Sequence, residues 1–428
     1  MRRLVLFTLI VGVAACRPAP GPSYLYLWAG DSAHTASDFL AVIDATPGSP
    51  KYGTVVASLP TGEHGTHPHH TEATMPASGH LLANGFHAGR SYLFDLTRPT
   101  RPRLLKAFGD LAGLSHPHTY WRLDDGTLLT TFQYSEFENH HTLMPDGSHQ
   151  MTSATPASME MGAEHATGGL VHMDEQGNVI WEGRAWDTTI ADRRIYPYSA
   201  LPLPAMDRIV STTTDMDDMD TAATSQWIQV WRLNDLRLLR TFALAPGPRG
   251  NENRWSGEPR LLPDGRSVYI HTFMCGLYLL KNPDSITATS PVPHATLVHT
   301  FEGKFCGVPV QTGHWWIATV PQAHALVVLD ITDPEHPRQA AQLDLGAAEE
   351  PHWLSIDSAG RRLAVNSSGG GTGNRLYVVN FDPATGALAM DSTFRDAGDS
   401  LPGLKLTGRS WPHGWTGHAI PHGTVFSH

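Results

Sequence analysis

Residues 326–345 read LVVLDITDPEHPRQAAQLDL. Leu326 to Leu329 is an uninterrupted apolar run. Asp330 to Pro334 then supplies turn chemistry, and a second strand-like run leads out to Leu345. A short apolar strand, an acidic turn and a returning strand make a hairpin. Six other stretches repeat the phrase: FLAVIDATPGSPKYGTVVASL (39–59), YLFDLTRPTRPRLLKAF (92–108), LVHMDEQGNVIWEG (170–183), IQVWRLNDLRLLRTFAL (228–244), LYLLKNPDSITATSPVPHATLVHTF (277–301) and LYVVNFDPATGALAMDSTF (376–394). A polar turn with its own strand precedes most of them, as in RLDDGTLLTTF (122–132) and LLPDGRSVYIHTF (261–273). The turn aspartates Asp44 and Asp95 lie 51 positions apart, and Asp330 and Asp382 lie 52 apart. Such a unit holds four short strands, and a strand-rich period near fifty residues is the signature of a β-propeller. Seven phrases predict an all-β, seven-bladed β-propeller over residues 24–428. A sandwich of unrelated hairpins is the alternative; the near-even spacing argues against it.

Composition narrows the function. Of 428 residues, 41% are hydrophobic and 17% charged, enough for a core and too apolar for wholesale disorder. The formal charge of −11 argues against nucleic-acid binding. Against 3 Cys stand 25 His, a balance that points to metal and away from a disulfide scaffold.

Met1-Arg2-Arg3, an apolar run from Leu4 to Val13 and then Ala14-Ala15-Cys16 have the form of a secretory signal. Val13-Ala14-Ala15-Cys16 matches a bacterial lipobox. Residues 1–15 are therefore expected to be a lipoprotein signal peptide and Cys16 the lipidated residue, with a plain signal peptide as the alternative. Residues 16–23 form a proline-rich tether. Removing residues 1–15 takes Arg2 and Arg3 away and moves the charge from −11 to −13. The expected location is the bacterial cell envelope, facing the periplasm, with membrane contact only through the lipid. Cys275 and Cys306 would pair there, or stay as thiols, or one would serve as a soft metal ligand. Ring closure makes a monomer sufficient.

Residues 134–167 interrupt the repeat and carry Met144, His149, Met151, Met159, Met161 and His165 without strand alternation. They read as an inserted loop, either a copper-collecting one or a plain surface excursion.

The histidines are clustered. Glu63 to His70 contains His64, His67, His69 and His70; His116-Pro117-His118 precedes the next unit; Glu350-Pro351-His352 opens a later one; and residues 411–423 contain His413, His418 and His422. Each cluster falls just before the first strand of its unit, the strand that lines a propeller's central channel. Distant imidazoles should therefore meet at the axis. Neutral imidazole is the commonest ligand for copper and zinc, and three suffice for an ion with an open position. The candidate ligands are His69, His70, His116, His118, His352, His418 and His422. His67/His69 and His116/His118 have the spacing that puts two side chains on one face of a strand. Pro117 should bias His116 towards an extended backbone. Glu72 and Glu350 are candidates for orienting imidazoles or taking a proton.

The stretches 91–108, 114–132, 224–244, 325–346 and 358–368 are similar to the selenium-binding protein / methanethiol oxidase family. The resemblance runs through most of residues 64–422 in the same order, and DITDPEHPR (330–338) is its most specific piece. It implies a seven-bladed propeller, a copper site built from histidines, and oxidation of a small thiol by dioxygen to aldehyde, hydrogen sulfide and hydrogen peroxide. The family's His-His-Thr segment resembles His69-His70-Thr71; its His-X-X-His segment resembles His116-Pro117-His118 with altered spacing; and its C-terminal Ala-His-Glu resembles Gly417-His418-Ala419, without the glutamate. Animal members carry cysteines soon after His-His-Thr. Here Glu72-Ala73-Thr74-Met75 follow, so selenium carriage through that thiol finds no support.

Three functions compete at this point: a copper-dependent thiol oxidase, a non-catalytic copper-binding envelope lipoprotein, and a metal-independent or lactone-hydrolysing propeller. Deleting residues 134–167 separates the first two, because an oxidase keeps turnover and a carrier loses most of its binding.

Overall fold

A computed structural model of the chain describes residues 22–136, 141–143, 149–151, 167–190, 195–216 and 225–427. Cys16, the signal segment and most of the tether and of the 134–167 insertion lie outside the described residues. Within that insertion His141–Leu143 and His149–Met151 pair as a small antiparallel hairpin, where the sequence predicts only loop.

Seven antiparallel sheets of four strands form the body; one of them gains a short fifth strand, Leu404–Lys405. The repeating phrases of the sequence are the two outer strands of the seven sheets, as in Ala325–Asp330 paired with Arg338–Asp344. The Asp-x-Thr turns have a common cause. Asp95 Oδ1 accepts from Thr97 N and Oγ1, and Asp330 Oδ1 does the same for Thr332. A carboxylate that satisfies the turn's own backbone reverses the chain without needing another element.

Alternate residues of one strand serve two neighbours. In Tyr24–Asp31, Leu25, Leu27 and Ala29 pack with Ala364, Leu376 and Val378 of the last blade. Tyr26 and Trp28 face the other way, onto Leu81, Ala83, Tyr92 and Phe94 of the second blade. Both faces of each sheet are thus apolar, which explains why the strands read as continuous hydrophobic runs. An apolar cluster fills each junction between consecutive blades, including that between last and first. The structure is a closed seven-bladed β-propeller.

The ring closes on one composite sheet. Its inner strand is Ala419–Phe426, paired antiparallel with Tyr24–Asp31, so both ends of the propeller share a blade. Cys275 and Cys306 are disulfide-bonded and buried, tying together two segments 31 positions apart.

Candidate metal centre

The inner strands Pro68–Thr71, Leu114–Arg122, Pro197–Leu203, Ser256–Leu261 and Ala419–Phe426 share an irregularity. Each advances three residues while its partner strand advances two: Pro68 to Thr71, Pro117 to Tyr120, Pro197 to Ala200, Ser256 to Pro259, and Pro421 to Thr424. A β-bulge of this kind re-aims side chains. The bulged residues are His69-His70, His118-Thr119, Tyr198-Ser199, Gly257-Glu258 and His422-Gly423. In four of the five, the first bulged residue is an imidazole or phenol placed directly after proline.

The bulge explains how consecutive residues reach one centre. Neighbours in a regular strand point to opposite faces. Here the rings of His69 and His70 are stacked, with centroids 4.4 Å apart and planes 7° from parallel. His118 lies 4.3 Å from His70 and 4.8 Å from His69, and His422 lies 3.9 Å from His69, all between ring centroids. Ligand-capable atoms of His69, His70 and His118 fall within 4.8 Å of one another, and all three residues are buried. His352 sits 5.0 Å from His422 between ring centroids and is partly exposed.

The hydrogen bonds leave ligand atoms free. His118 Nδ1 lies 2.7 Å from the Tyr198 carbonyl oxygen, and its Nε2 has no partner among the described residues. His69 Nδ1 and His422 Nδ1 are likewise buried and unpaired. His70 is held loosely on both sides, by Thr119 Oγ1 at 3.4 Å from Nδ1 and by the Tyr198 hydroxyl at 3.3 Å from Nε2. Buried polar atoms without partners are uncommon, and several convergent imidazole nitrogens match the donor set of a transition-metal ion.

Burial, followed by the crowding of like groups, holds His69, His70 and His422 well below the ordinary histidine value. Burial pushes His118 down to about 3 and His352 to about 4. All are thus neutral at pH 7, the form that binds a metal.

Two asparagines brace the centre. Asn84 Oδ1 accepts from the His70 backbone N–H at 2.6 Å, while its Nδ2 donates to the Pro117 carbonyl at 2.8 Å. Asn366 Nδ2 donates to the His422 carbonyl at 2.8 Å, and its own carbonyl accepts from His352 N–H. Each ties two histidine-bearing segments of adjacent blades.

Other sequence candidates fall elsewhere. His418 is exposed, four residues before the bulge that carries His422. Glu350 is exposed too; its neighbour Glu349 is the buried one, bound by the Tyr377 hydroxyl at 2.8 Å. His116 is buried, 5.4 Å from Phe86 and 5.3 Å from Tyr134 between ring centroids, and its Nδ1 meets Ser115 Oγ at 2.8 Å. Its backbone is not extended as expected before proline: φ is +60°, and +59° at the equivalent His67. This left-handed residue turns each chain into its bulged strand, so the His-X-His pairs do not chelate from one strand face. His67 instead pairs with His87, Nδ1 to Nε2 at 3.2 Å. Glu72 is buried with both oxygens engaged, Oε1 by Arg122 Nε at 2.9 Å and Oε2 by Leu82 N–H at 2.9 Å, and so is not poised as a free base.

Sequence reasoning gives no role to Tyr198, whose ring lies 4.1 Å from that of His118, or to His271, fully buried with both ring nitrogens unpaired. The proline before Tyr198 was the available signal for the first; the second has none.

A cavity of about 460 Å³ opens from the centre towards one mouth of the channel. His70 and Thr119 line its inner end, Trp121 and Trp353 its walls, and Glu72, Arg122, Glu258 and Arg260 its charged part.

Fold and site together define a propeller with a group of converging histidines that could hold a metal ion. The chain is 31% identical to methanethiol oxidase of a Hyphomicrobium species over 369 residues, 81% of this chain and 75% of that protein. It belongs to the selenium-binding protein / methanethiol oxidase family. No family model matches the chain. Among solved structures, a hypothetical selenium-binding protein from Sulfolobus tokodaii superposes with a TM-score of 0.67 at 17% identity, covering 96% of this chain and 94% of that one. A periplasmic gluconolactonase of Pseudomonas aeruginosa superposes at 0.57 and 13% identity, covering 94% and 99%. These two likenesses establish the propeller fold alone.

Proposed function

We propose that the protein is a copper-dependent oxidase of small thiols. In the reaction, equal amounts of thiol, dioxygen and water give equal amounts of aldehyde, hydrogen sulfide and hydrogen peroxide. The carbon bearing sulfur loses an electron pair, dioxygen gains it, and the C–S bond is replaced by C=O with oxygen from water. The supporting observation is the convergence of His69, His70, His118 and His422, with unpaired nitrogens on His69, His118 and His422. Kinship with methanethiol oxidase supports thiol oxidation in general.

His69, His70, His118 and His422 would hold the ion. Copper, when bound, supplies the redox chemistry that couples thiol to dioxygen. The remaining work belongs to the chain. The Tyr198 carbonyl keeps a proton on His118 Nδ1 and so presents the Nε2 lone pair. Thr119 and the Tyr198 hydroxyl orient His70. Trp353, 4.9 Å from His70 between ring centroids, and Phe86, 5.5 Å from His118, exclude water around the reacting groups.

The chain is further proposed to work in the bacterial cell envelope, facing the periplasm and anchored through Cys16. Its lipobox-like N-terminus and the Cys275–Cys306 disulfide, suited to an oxidising compartment, support this.

The test is to load the mature chain with copper, add methanethiol under oxygen, and measure oxygen uptake, sulfide and peroxide. The expected ratio is one to one to one. A loaded protein that consumes no oxygen with any thiol overturns the proposal.

A further inference from the structure

The cavity beside the histidines is much larger than a one-carbon thiol requires. Pockets of about 300–1,000 Å³ house ligands of many heavy atoms, and this one measures about 460 Å³. Methanethiol, a single carbon and a single sulfur, would leave most of that space to water.

Two arginines line the cavity beside Glu72 and Glu258, and the arginines differ in what they have left to offer. Arg122 is spent: Nε and Nη2 bind Glu72, and Nη1 binds Glu175 and the Gly126 carbonyl. Arg260 commits only Nη1, to Glu258 Oε2 at 2.8 Å and the Pro259 carbonyl at 2.9 Å. Its Nε and Nη2 have no partner among the described residues. The guanidinium lies 5.7 Å from the Trp121 ring centroid, which fixes its plane, and Glu258 is itself anchored by Ser199 Oγ at 2.9 Å. Arg260 is therefore pre-organised, on the wall of the cavity whose inner end is His70, with two donors unspent.

A fixed guanidinium with free donors suits carboxylate or sulfonate oxygens. Resting on the oxidase reading above, we infer that the preferred substrate is a short alkanethiol with an anionic end group, its sulfur at the histidine centre and its anion on Arg260 Nε and Nη2. The apolar walls, Leu201, Val308 and Trp353 among them, accept the carbon chain between the two ends. Arg260 is on this view the residue that determines specificity.

The experiment compares kcat/KM for methanethiol, 1-propanethiol, 3-mercaptopropionate and 2-mercaptoethanesulfonate on the copper-loaded protein. The anionic thiols should exceed 1-propanethiol by about tenfold or more, a factor in the range of one charge-assisted contact. Comparing the carboxylate with the sulfonate identifies the preferred anion. Arg260→Gln should abolish the advantage by raising KM for the anionic thiols more than for 1-propanethiol, and Arg260→Lys should restore part of it. A second readout needs no turnover: titration calorimetry of propane-1-sulfonate into the metal-free protein should show binding that Arg260→Gln weakens. If 1-propanethiol matches the anionic thiols, or Arg260→Gln leaves their ratio unchanged, the inference fails while the oxidase reading stands. If no thiol is oxidised, the oxidase reading fails, and the calorimetry decides separately whether the cavity takes anions.

Discussion

His118 Nδ1 lies 2.7 Å from the backbone carbonyl oxygen of Tyr198, on the next blade of the ring. A carbonyl can only accept, so Nδ1 carries the proton and Nε2 the lone pair. The tautomer is set by the fold before any ion arrives.

His118→Ala should accordingly lower copper content after dialysis by well over tenfold, and His422→Ala should do likewise. His418→Ala, an exposed neighbour, should leave content unchanged. Metal analysis of the three purified variants checks this. Equal copper in wild type and His118→Ala would remove the ligand assignment.

Asn84 is a positioning residue, since it touches His70 and Pro117 through its amide and no ring nitrogen of the centre. Asn84→Leu should weaken copper affinity by about 10–100-fold, the range for partners outside the ligand set. Competition with a chelator of known affinity measures it. Unchanged affinity with a shifted melting temperature would mean that the amide serves stability alone.

His271 yields a prediction about acid. Burial is the largest cause pushing it down to about 3 from an ordinary 6.5. The unfolded chain therefore binds this proton first as acid is added. The stability it contributes is complete above pH 6.5 and is lost progressively as pH falls towards 3. His271→Phe removes one such proton and two unpaired nitrogens. Denaturant unfolding of the metal-free protein between pH 4 and 6 should show a slope smaller by up to about 1.4 kcal/mol per pH unit. An unaltered slope would contradict the assigned burial.

The Cys275–Cys306 bridge closes a loop of 31 positions. By chain entropy that is worth about 3–4 kcal/mol. Cys275→Ser/Cys306→Ser should lose that much in denaturant titration, and adding reductant to the variant should change nothing further.

Gly423 lies close against the strand that carries His69. A Cβ there would lie 2.8 Å from Thr71 N and 2.9 Å from the His69 carbonyl oxygen, both backbone atoms with little room to give. Gly423→Ala should push the His422 strand away from His69 and lower copper affinity more than it lowers the melting temperature.

The fold was legible because its cause is local. Each Asp-x-Thr turn declares its hairpin, and Leu326 to Leu329 or Tyr92 to Phe94 declares a strand buried on both faces. The convergence of His69, His70, His118 and His422 followed from placing their clusters on inner strands. Which member of each cluster points inwards was not legible. That depends on a one-residue bulge, and a bulge leaves the polar–apolar pattern intact while changing every direction after it. The same uncertainty holds outside the bulges: His418, just before its strand, is exposed while His422 is buried, and Glu350 is exposed beside a buried Glu349. His271 has no sequence signal because its isolation depends on what its neighbours fail to offer.

The strand Ala419–Phe426 that completes the first blade also carries His422. His69, His70 and His118 belong to blades formed from the first half of the chain. On the ligand set proposed above, an emerging or clipped polypeptide lacking its final strand would display an incomplete set of imidazoles. A cation held by all four would then serve as a certificate that the circle has shut.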